Sequence, residues 1–430
     1  MVSHSAEPAK RKPSLARALR HRNYRLFFGG QSLSLIGTWL TRVATSWLVY
    51  RLTGSTLALG VVGFASQIPT FFVAPLAGVW VDRWNRHRVL VVTQALAMLQ
   101  SAALAALALS GKITVASVIL LSLFQGLINA FDVPARQSFV VHMVGDREDL
   151  PNAIALNSSM VNAARLLGPS IGGMLIALVG EGYCFAIDAL SYLAVIASLL
   201  AMHVPAVARE PSQKRLLHEL REGLHYAMGF APIRSVLLLL ALVSLMGMPY
   251  SVLMPAVATQ ILGGGAHTLG FLMAASGVGA LVGTLYLASR KSVVGLGRVI
   301  VIASATFGLG LIAFSRSQSF WLSVAILIPT GLGMMVQMAA SNTVLQTVVD
   351  EDKRGRVMSF FTMAFFGTVP FGSLFAGVMA ARFGAANTIA VGGAACVVGS
   401  FLFWRKLPEL RRLARPVYVR LGILDEIAEE

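Results

Sequence analysis

Long apolar runs dominate this sequence and limit the folds that it can adopt. Hydrophobic residues make up 56% of the 430 residues, charged residues make up 13%, and the mean hydropathy is +0.72. A water-soluble fold cannot bury so much apolar surface, whereas a bilayer-spanning helix requires about 20 apolar residues. The sequence therefore predicts an all-α integral membrane protein with twelve transmembrane helices. The predicted spans are 26–49, 57–81, 89–109, 115–141, 153–179, 183–203, 235–262, 268–289, 298–315, 320–349, 356–381 and 386–404.

Basic residues lie mainly on one side of these predicted spans. The chain has 35 Lys and Arg residues against 19 Asp and Glu residues, a net charge of +16. Connections on the cytoplasmic side of a membrane carry the excess of Lys and Arg. If the N-terminus is cytoplasmic, the connections on the opposite side hold only Arg51, Lys112, Arg316 and Arg382. We therefore expect both termini in the cytoplasm and no nucleic-acid partner. The first 25 residues lack the features of a signal peptide, so we expect no processing.

An internal repeat divides the predicted spans into two sets of six. In the first set, a span ending near Val144 is followed by the loop GDREDLPNA and the helix GPSIGGMLIA. In the second set, a span ending near Val349 is followed in the same order by DEDKRGRVM and GTVPFGSLFAGVMA. Duplicated six-helix halves are common in transporters, with the substrate between them. The predicted division is a cytoplasmic N-tail 1–25, an N-terminal bundle 26–203, a cytoplasmic linker 204–234 with an amphipathic helix, a C-terminal bundle 235–404 and a cytoplasmic C-tail 405–430.

Polar side chains interrupt three predicted spans at helical spacing. In the fourth span they recur at intervals of 4, 3 and 4 and so share one face. A charge that faces lipid at mid-depth costs at least about 2.5–3.5 kcal/mol. We therefore expect the first, fourth and fifth spans to line a polar cleft. The candidate proton-coupling and cavity residues are Asp132, Arg136, Arg42, Arg165, Asn129, Gln125 and Gln31.

Asp132 is the leading candidate for a proton carrier. Of the acidic residues, only Asp132 and Asp188 fall within predicted spans, and Asp188 is placed near the outer end of the sixth. The alternative is that Asp132 and Arg136 form a permanent i,i+4 ion pair that only holds the helix in place. Desolvation raises the pKa of an aspartate and a nearby arginine lowers it. A proton carrier requires the balance of these two effects to change between transport states.

The connection between the second and third spans, GVWVDRWNRHR, carries a recognisable motif. Its residues Gly78, Asp82, Arg83, Arg86 and Arg88 resemble the loop signature of the major facilitator superfamily, with Asn85 where many members have glycine. The resemblance implies a cytoplasmic latch between two halves. The alternative is that these arginines only set the orientation of the chain in the membrane. His142 stands where the resemblance leads us to expect an aspartate able to meet these arginines.

A second motif, AARLLGPSIGG in the fifth span, bears on the direction of transport. Gly168, Pro169, Gly172 and Gly173 resemble the Gly-Pro motif of antiporter branches of the superfamily, with Ala164 replacing the leading glycine. The alternative is ordinary small-residue packing. Residues 30–55 and the segment NAFDVPARQSFV resemble the enterobactin-exporter-like, or transmembrane secretion effector, branch.

This resemblance implies a proton-coupled exporter of amphipathic small molecules, such as siderophore-like, macrolide or other drug-like compounds. We expect a monomer in the bacterial cytoplasmic (inner) membrane, working by alternating access without metal or cofactor. The P-loop pattern GxxxxGK[ST] does not occur, and no nucleophile with a spaced base stands out, so we do not expect an enzyme. The alternatives are a lipid or lysophospholipid transporter of the same fold and a non-transporting membrane sensor or scaffold.

Overall fold

The computed structural model describes residues 17–144, 149–202, 216–290, 292–351 and 353–424, and its regular structure there is helical throughout. Eleven of the helices within these ranges are long and apolar enough to cross a membrane. The chain is therefore a multi-pass membrane protein. The first helix is not among the eleven, whereas the sequence predicts twelve spans.

A first group of six helices follows a short 3-10 helix, Arg17–Arg20. Side-chain caps define several of the helix starts: Ser55 accepts a hydrogen bond from the backbone N–H of Ala58, Asn85 from that of Arg88, and Thr114 from that of Ser117. The helices are α1 (Arg22–Thr53), α2 (Thr56–Arg83), α3 (Arg86–Leu109), α4 (Val115–Met143), α5 (Leu150–Val179) and α6 (Glu181–Leu200). Short connections make consecutive helices antiparallel.

The second group follows a linker helix, α7 (Leu216–Gly229), which lies in the predicted linker. The group comprises α8 (Ala231–Leu242), α9 (Tyr250–Ala256), α10 (Ala266–Ser289), α11 (Leu296–Arg316), α12 (Phe320–Val348), α13 (Arg354–Thr362), α14 (Val369–Phe383) and α15 (Ala385–Arg420). Short π-helical segments make α8 and α9 parts of one span, Ala231–Ile261, and likewise α13 and α14 of Arg354–Phe383.

The last helix is longer than the sequence predicts. The apolar run ends at residue 404, but α15 continues to Arg420 and buries Leu407, Leu410 and Ala414. The predicted C-tail therefore begins as a packed helical extension, because these apolar residues find partners in the folded chain.

The two groups meet through glycines. Within the first group, α1 packs on α5 and α6; α5 then contacts α10, and α2 contacts α14. A Cβ at Gly173 would lie 2.6 Å from the carbonyl oxygen of Ala266, and one at Gly60 would lie 2.8 Å from the Cα of Gly377. These contacts lie where α2 begins and α5 ends. We call this end of the bundle the far side, and the end where α1 begins the terminal side.

Polar contacts on the terminal side join α7, the α12–α13 connection and the end of α15. The Tyr226 hydroxyl donates to Asp350 Oδ2 (3.1 Å), and Arg420 Nη2 donates to Asp350 Oδ1 (2.9 Å). These two hydrogen bonds lower the pKa of the Asp350 carboxyl below its usual value. Glu222 on α7 also pairs with Arg356 at 2.8 Å. The linker helix and the C-terminal extension thus share one anchor.

We expect Gly173→Ala to lower the thermal stability of the purified protein. Its added methyl group would meet the α10 backbone, and overpacking of this kind costs about 1–3 kcal/mol. Gly29→Ala is the matched control, because nothing lies within 4 Å of a Cβ there. Equal unfolding temperatures for the two variants in the same detergent would contradict the described α5–α10 contact.

Asp350→Asn should loosen the end of α15. The amide loses the charge that attracts Arg420, so backbone amides near residue 420 should exchange hydrogen faster, measured by mass spectrometry at neutral pH. Because the folded pKa is depressed, the carboxylate's contribution is present above its unfolded pKa of about 3.9 and disappears as the pH falls through the folded value. Glu351→Gln is the control, since Glu351 is largely exposed and lies 4.0 Å from its partner Arg354. Unchanged exchange in Asp350→Asn would show that the anchor is unnecessary.

Candidate functional site

Asp132 lies buried at the contact between α3 and α4. Its Oδ2 is 3.1 Å from Arg136 Nη2, and its Oδ1 accepts hydrogen bonds from Thr93 Oγ1 (2.9 Å) and Gln94 Nε2 (2.7 Å). The carboxylate is therefore neutralised by its own helix and held by a neighbour. This geometry is that of the ion-pair interpretation; proton carriage by Asp132 stays a prediction.

Within the polar face predicted for α4, Asp132 is directed toward α3. The sequence places Gln125, Asn129, Asp132 and Arg136 in a cleft shared with α1 and α5. Gln125 instead donates to Asn129 on its own helix (3.1 Å), and Asp132 turns toward α3. The physical reason is that Thr93 and Gln94 offer the donors a buried carboxylate needs, so no water-filled cleft is required there.

A second buried carboxylate, Asp188, lies inside the first helix group. It is 1% exposed, and its Oδ2 accepts hydrogen bonds from Thr41 on α1 (2.7 Å) and Ser101 on α3 (2.8 Å). Its Oδ1 has no hydrogen-bond partner. Within the described ranges, no basic side chain lies within ion-pair distance of it. Asp188 is thus held by neutral groups, in contrast to Asp132.

The sequence prediction includes Asp188 but places it too near the outer end of the sixth span. The predicted sixth span begins at residue 183, whereas α6 begins at Glu181, so Asp188 lies two turns inside the helix. Its hydroxyl partners come from two helices distant in sequence. An acidic residue inside a span was the available signal, and its lack of a basic neighbour at i±4 distinguished it from Asp132.

Arg42 and Arg165 come together between the helix groups. Arg42 extends from α1 with its guanidinium 4.9 Å from the centre of the Trp39 ring. Arg165 extends from α5 and contacts Met334 of α12, with 3.9 Å between Nη2 and Sδ. The two guanidinium groups are close enough for their positive charges to repel each other. The structure thus brings Arg42 of α1 near Arg165 of α5, and a polar cleft shared with α4 stays a prediction.

These arginines are surrounded by protein and yet remain accessible to solvent. Arg42 keeps solvent-accessible surface and Arg165 is half-buried, yet the surrounding protein desolvates both guanidinium groups. A side chain meets both conditions when it lines a cavity inside a protein. Gln31, the remaining predicted cavity residue of α1, is buried at 3% exposure and does not reach this space.

The predicted latch is only partly described. Gly78 is half-buried in α2, Arg83 and Arg88 are exposed, and Arg86 is half-buried at the start of α3. The side chains of Asp82 and His142 lie outside the described residues. The latch therefore stays a prediction.

The Gly-Pro motif packs α5 between two helices. Gly168 contacts Trp39, Gly172 approaches Leu40, and Gly173 approaches Ala266. Pro169 is buried inside α5, beside these glycines. The motif thus serves close packing on both α1 and α10, which is the small-residue interpretation; its bearing on transport direction stays a prediction.

Known proteins resemble this chain over most of its length. The family model described as transmembrane secretion effector matches residues 14–416. A staphyloferrin A transporter from Staphylococcus aureus is 24% identical over 88% of this chain and 94% of its own length. The multidrug efflux pump Tap from Mycolicibacterium fortuitum is 27% identical over 80% and 86%. The enterobactin exporter EntS from Citrobacter koseri is 25% identical over 92% and 94%.

A solved structure supports the fold. A bacterial homologue of the human lysosomal transporter Spinster, in an inward-facing and unoccupied conformation, superposes with a TM-score of 0.67. The alignment covers 97% of this chain and 100% of that one at 14% identity. At this identity the likeness concerns the fold alone.

We expect Asp132→Asn to destabilise the protein more than Asp188→Asn. The first change leaves Arg136 without its charged partner, which costs about 1–3 kcal/mol. The second keeps an oxygen acceptor for Thr41 and Ser101 and should cost less than about 1 kcal/mol. Thermal unfolding of both variants in one detergent measures the difference. A greater loss for Asp188→Asn would mean that Asp188 is held as an ionised group.

Proposed function

The chain belongs to the transmembrane secretion effector family of the major facilitator superfamily, and we propose that it is a proton-coupled exporter of amphipathic small molecules. The observation that carries the proposal is the cavity at Arg42 and Arg165, because charged groups inside a membrane protein mark a substrate or ion pathway. Relatives named for enterobactin export and multidrug efflux support siderophore-like or drug-like substrates.

We propose two six-helix halves, 26–203 and 235–404, with α1 as the twelfth span. Its 32 residues exceed the length that a bilayer requires, and its inward-facing polar residues account for its lower hydropathy. The excess of basic residues supports placing both termini, the linker 204–234 and the terminal side in the cytoplasm of a bacterium, with the spans in its inner membrane. The proposed oligomeric state is a monomer.

The position of the glycine contacts supports alternating access. The halves touch at Gly173 with Gly270 and at Gly60 with Gly377 on the far side, and at Gly277 with Arg165 nearer the middle of α5. A cavity closed there opens toward the terminal side, which is the substrate-loading state of an exporter. In the opposite state these contacts separate, and the Asp82 loop latches the cytoplasmic ends.

Asp188 is the better proton carrier of the two buried aspartates in this state. A proton on its unpartnered Oδ1 leaves the hydrogen bonds from Thr41 and Ser101 to Oδ2 in place. In the described residues, the helices packed around it present hydroxyl groups and one titratable neighbour, Tyr192. Asp132 would first have to leave Arg136.

Lipid transport is the second candidate, favoured by one groove. An apolar groove of about 330 Å³ opens between α5, α10 and α12. Its lining includes Phe271 and Trp321, which are 41% and 76% exposed. A lipid chain fits such a surface, and a transported lysophospholipid would enter there. The charged cavity favours a soluble amphipathic substrate, and a sensor without transport would not need it.

Export should be lost in Asp188→Asn and kept in Asp132→Asn. A pH gradient of one unit supplies about 1.4 kcal/mol per proton, enough for a tenfold concentration gradient. Untargeted mass spectrometry of cells and medium, for a strain lacking the protein and complemented with each form, measures which compound is exported. Equal protein amounts in the membrane are the control. Export by Asp188→Asn but not Asp132→Asn would return the carrier role to Asp132. Lysophospholipid as the only changed compound would favour lipid transport.

A further inference from the structure

We infer that Arg42 and Arg165 bind an anionic group of the transported molecule, a carboxylate or a similar acid, in the cavity between the halves. The inference rests on the proposed export function and names the substrate class of that site. Two repelling positive charges inside a membrane protein are unfavourable unless an anion or water compensates them. The side chains come from α1 and α5, so a bound anion would join both helices.

The contacts of the two arginines in the structure are uncharged. Arg42 lies over the Trp39 ring at 4.9 Å, and Arg165 reaches the Met334 sulfur at 3.9 Å. In the described part of the chain, no carboxylate lies within 4.0 Å of either guanidinium group. Other arginines in the first helix group differ: Arg136 lies 3.1 Å from Asp132, and Arg51 lies 2.7 Å from Glu181.

The buried carboxylates of the described residues are engaged away from these arginines. Residues 235–349, which form the facing half through α12, contain neither Asp nor Glu. In the first helix group, Asp132 is already paired and Asp188 is held by hydroxyl groups of α1 and α3. The described residues therefore leave room for a ligand to supply the negative charge at the arginines.

The residues around the two arginines indicate the chemistry of the rest of the ligand. Guanidinium groups bind carboxylates through paired hydrogen bonds, which fixes the orientation of the acid. Trp39 and Met334 supply aromatic and apolar surface beside the charges, and the phenol group of Tyr250 lies near Arg165. An organic acid with an aromatic or apolar body satisfies both parts of the site.

Binding of a matched pair of probes to the purified full-length protein tests the site. Naphthalene-2-carboxylate and naphthalene-2-carboxamide share a shape and differ in charge. We expect the wild type to bind the carboxylate at least about tenfold more tightly, as charge-assisted hydrogen bonds predict. Arg42→Gln and Arg165→Gln should each remove this preference. Arg51→Gln, on the same helix as Arg42 but paired with Glu181, is the matched control and should keep it.

Two further measurements separate binding from folding. Without ligand, Arg42→Gln should unfold at the same temperature as the wild type or higher, because it removes one of two repelling charges; an arginine with a structural role would lower it. Arg42→Lys keeps the charge without the planar fork, so it should retain part of the preference. Absence of carboxylate preference in the wild type, or its persistence in both Gln variants, would overturn the inference.

The export assay keeps this inference distinct from the proposed function. Exported compounds that all lack an acidic group would refute the anion site and leave the exporter intact. Carboxylate preference at Arg42 and Arg165 in a protein that exports nothing would support the site and refute the exporter. Loss of export of an acidic compound in Arg165→Gln, but not in Arg51→Gln, supports both.

Discussion

The cost of charge in a low-dielectric interior governs this structure. Each ionised side chain within a bilayer-spanning bundle needs an opposite charge, strong hydrogen bonds or water. Glu181 meets Arg51 where α1 and α6 join, and Asp132 meets Arg136 on α4, so these charges are compensated within the first helix group. Among the described residues, Arg42 and Arg165 have no opposite charge within ion-pair distance, and their contacts are the Trp39 ring and the Met334 sulfur. The uncompensated charge lies where the two groups face each other, which is where a transporter handles its substrate.

The contact between the two helix groups at the far side is formed by uncharged small residues. Gly173 with Gly270 and Gly60 with Gly377 bring backbones together without interlocking side chains. In lipid, helices associate through such van der Waals packing, because no hydrophobic gain separates protein from acyl chains. The side-chain hydrogen bond from Thr56 to the carbonyl of Gly377 is long, at 3.4 Å. Few strong bonds therefore hold this interface, which suits the opening that the proposed alternating access requires.

Local patterns in the sequence predict much of this molecule, and long-range contacts limit the rest. The apolar runs predict the helices, and the spacing of Asp132 and Arg136 predicts their ion pair, because both depend on residues at most one span apart. The orientation of α4 depends on Thr93 and Gln94 of another helix, which periodicity cannot reveal. The end of α15 is likewise bonded to Asp350, which is far away in sequence.

The proposed coupling between a proton and an anion requires movement of a helix. Direct electrostatics acts in the wrong sense for exchange: a proton on Asp188 removes a negative charge and so strengthens anion binding nearby, whereas exchange requires the two ligands to favour opposite states. Consecutive residues of α1 offer another route, since Thr41 donates to Asp188 and Arg42 lines the cavity. A proton on Asp188 weakens the charge-assisted bond from Thr41. The same helix that senses the proton would then reposition the arginine, and α1 would be the element through which the two sites exclude each other.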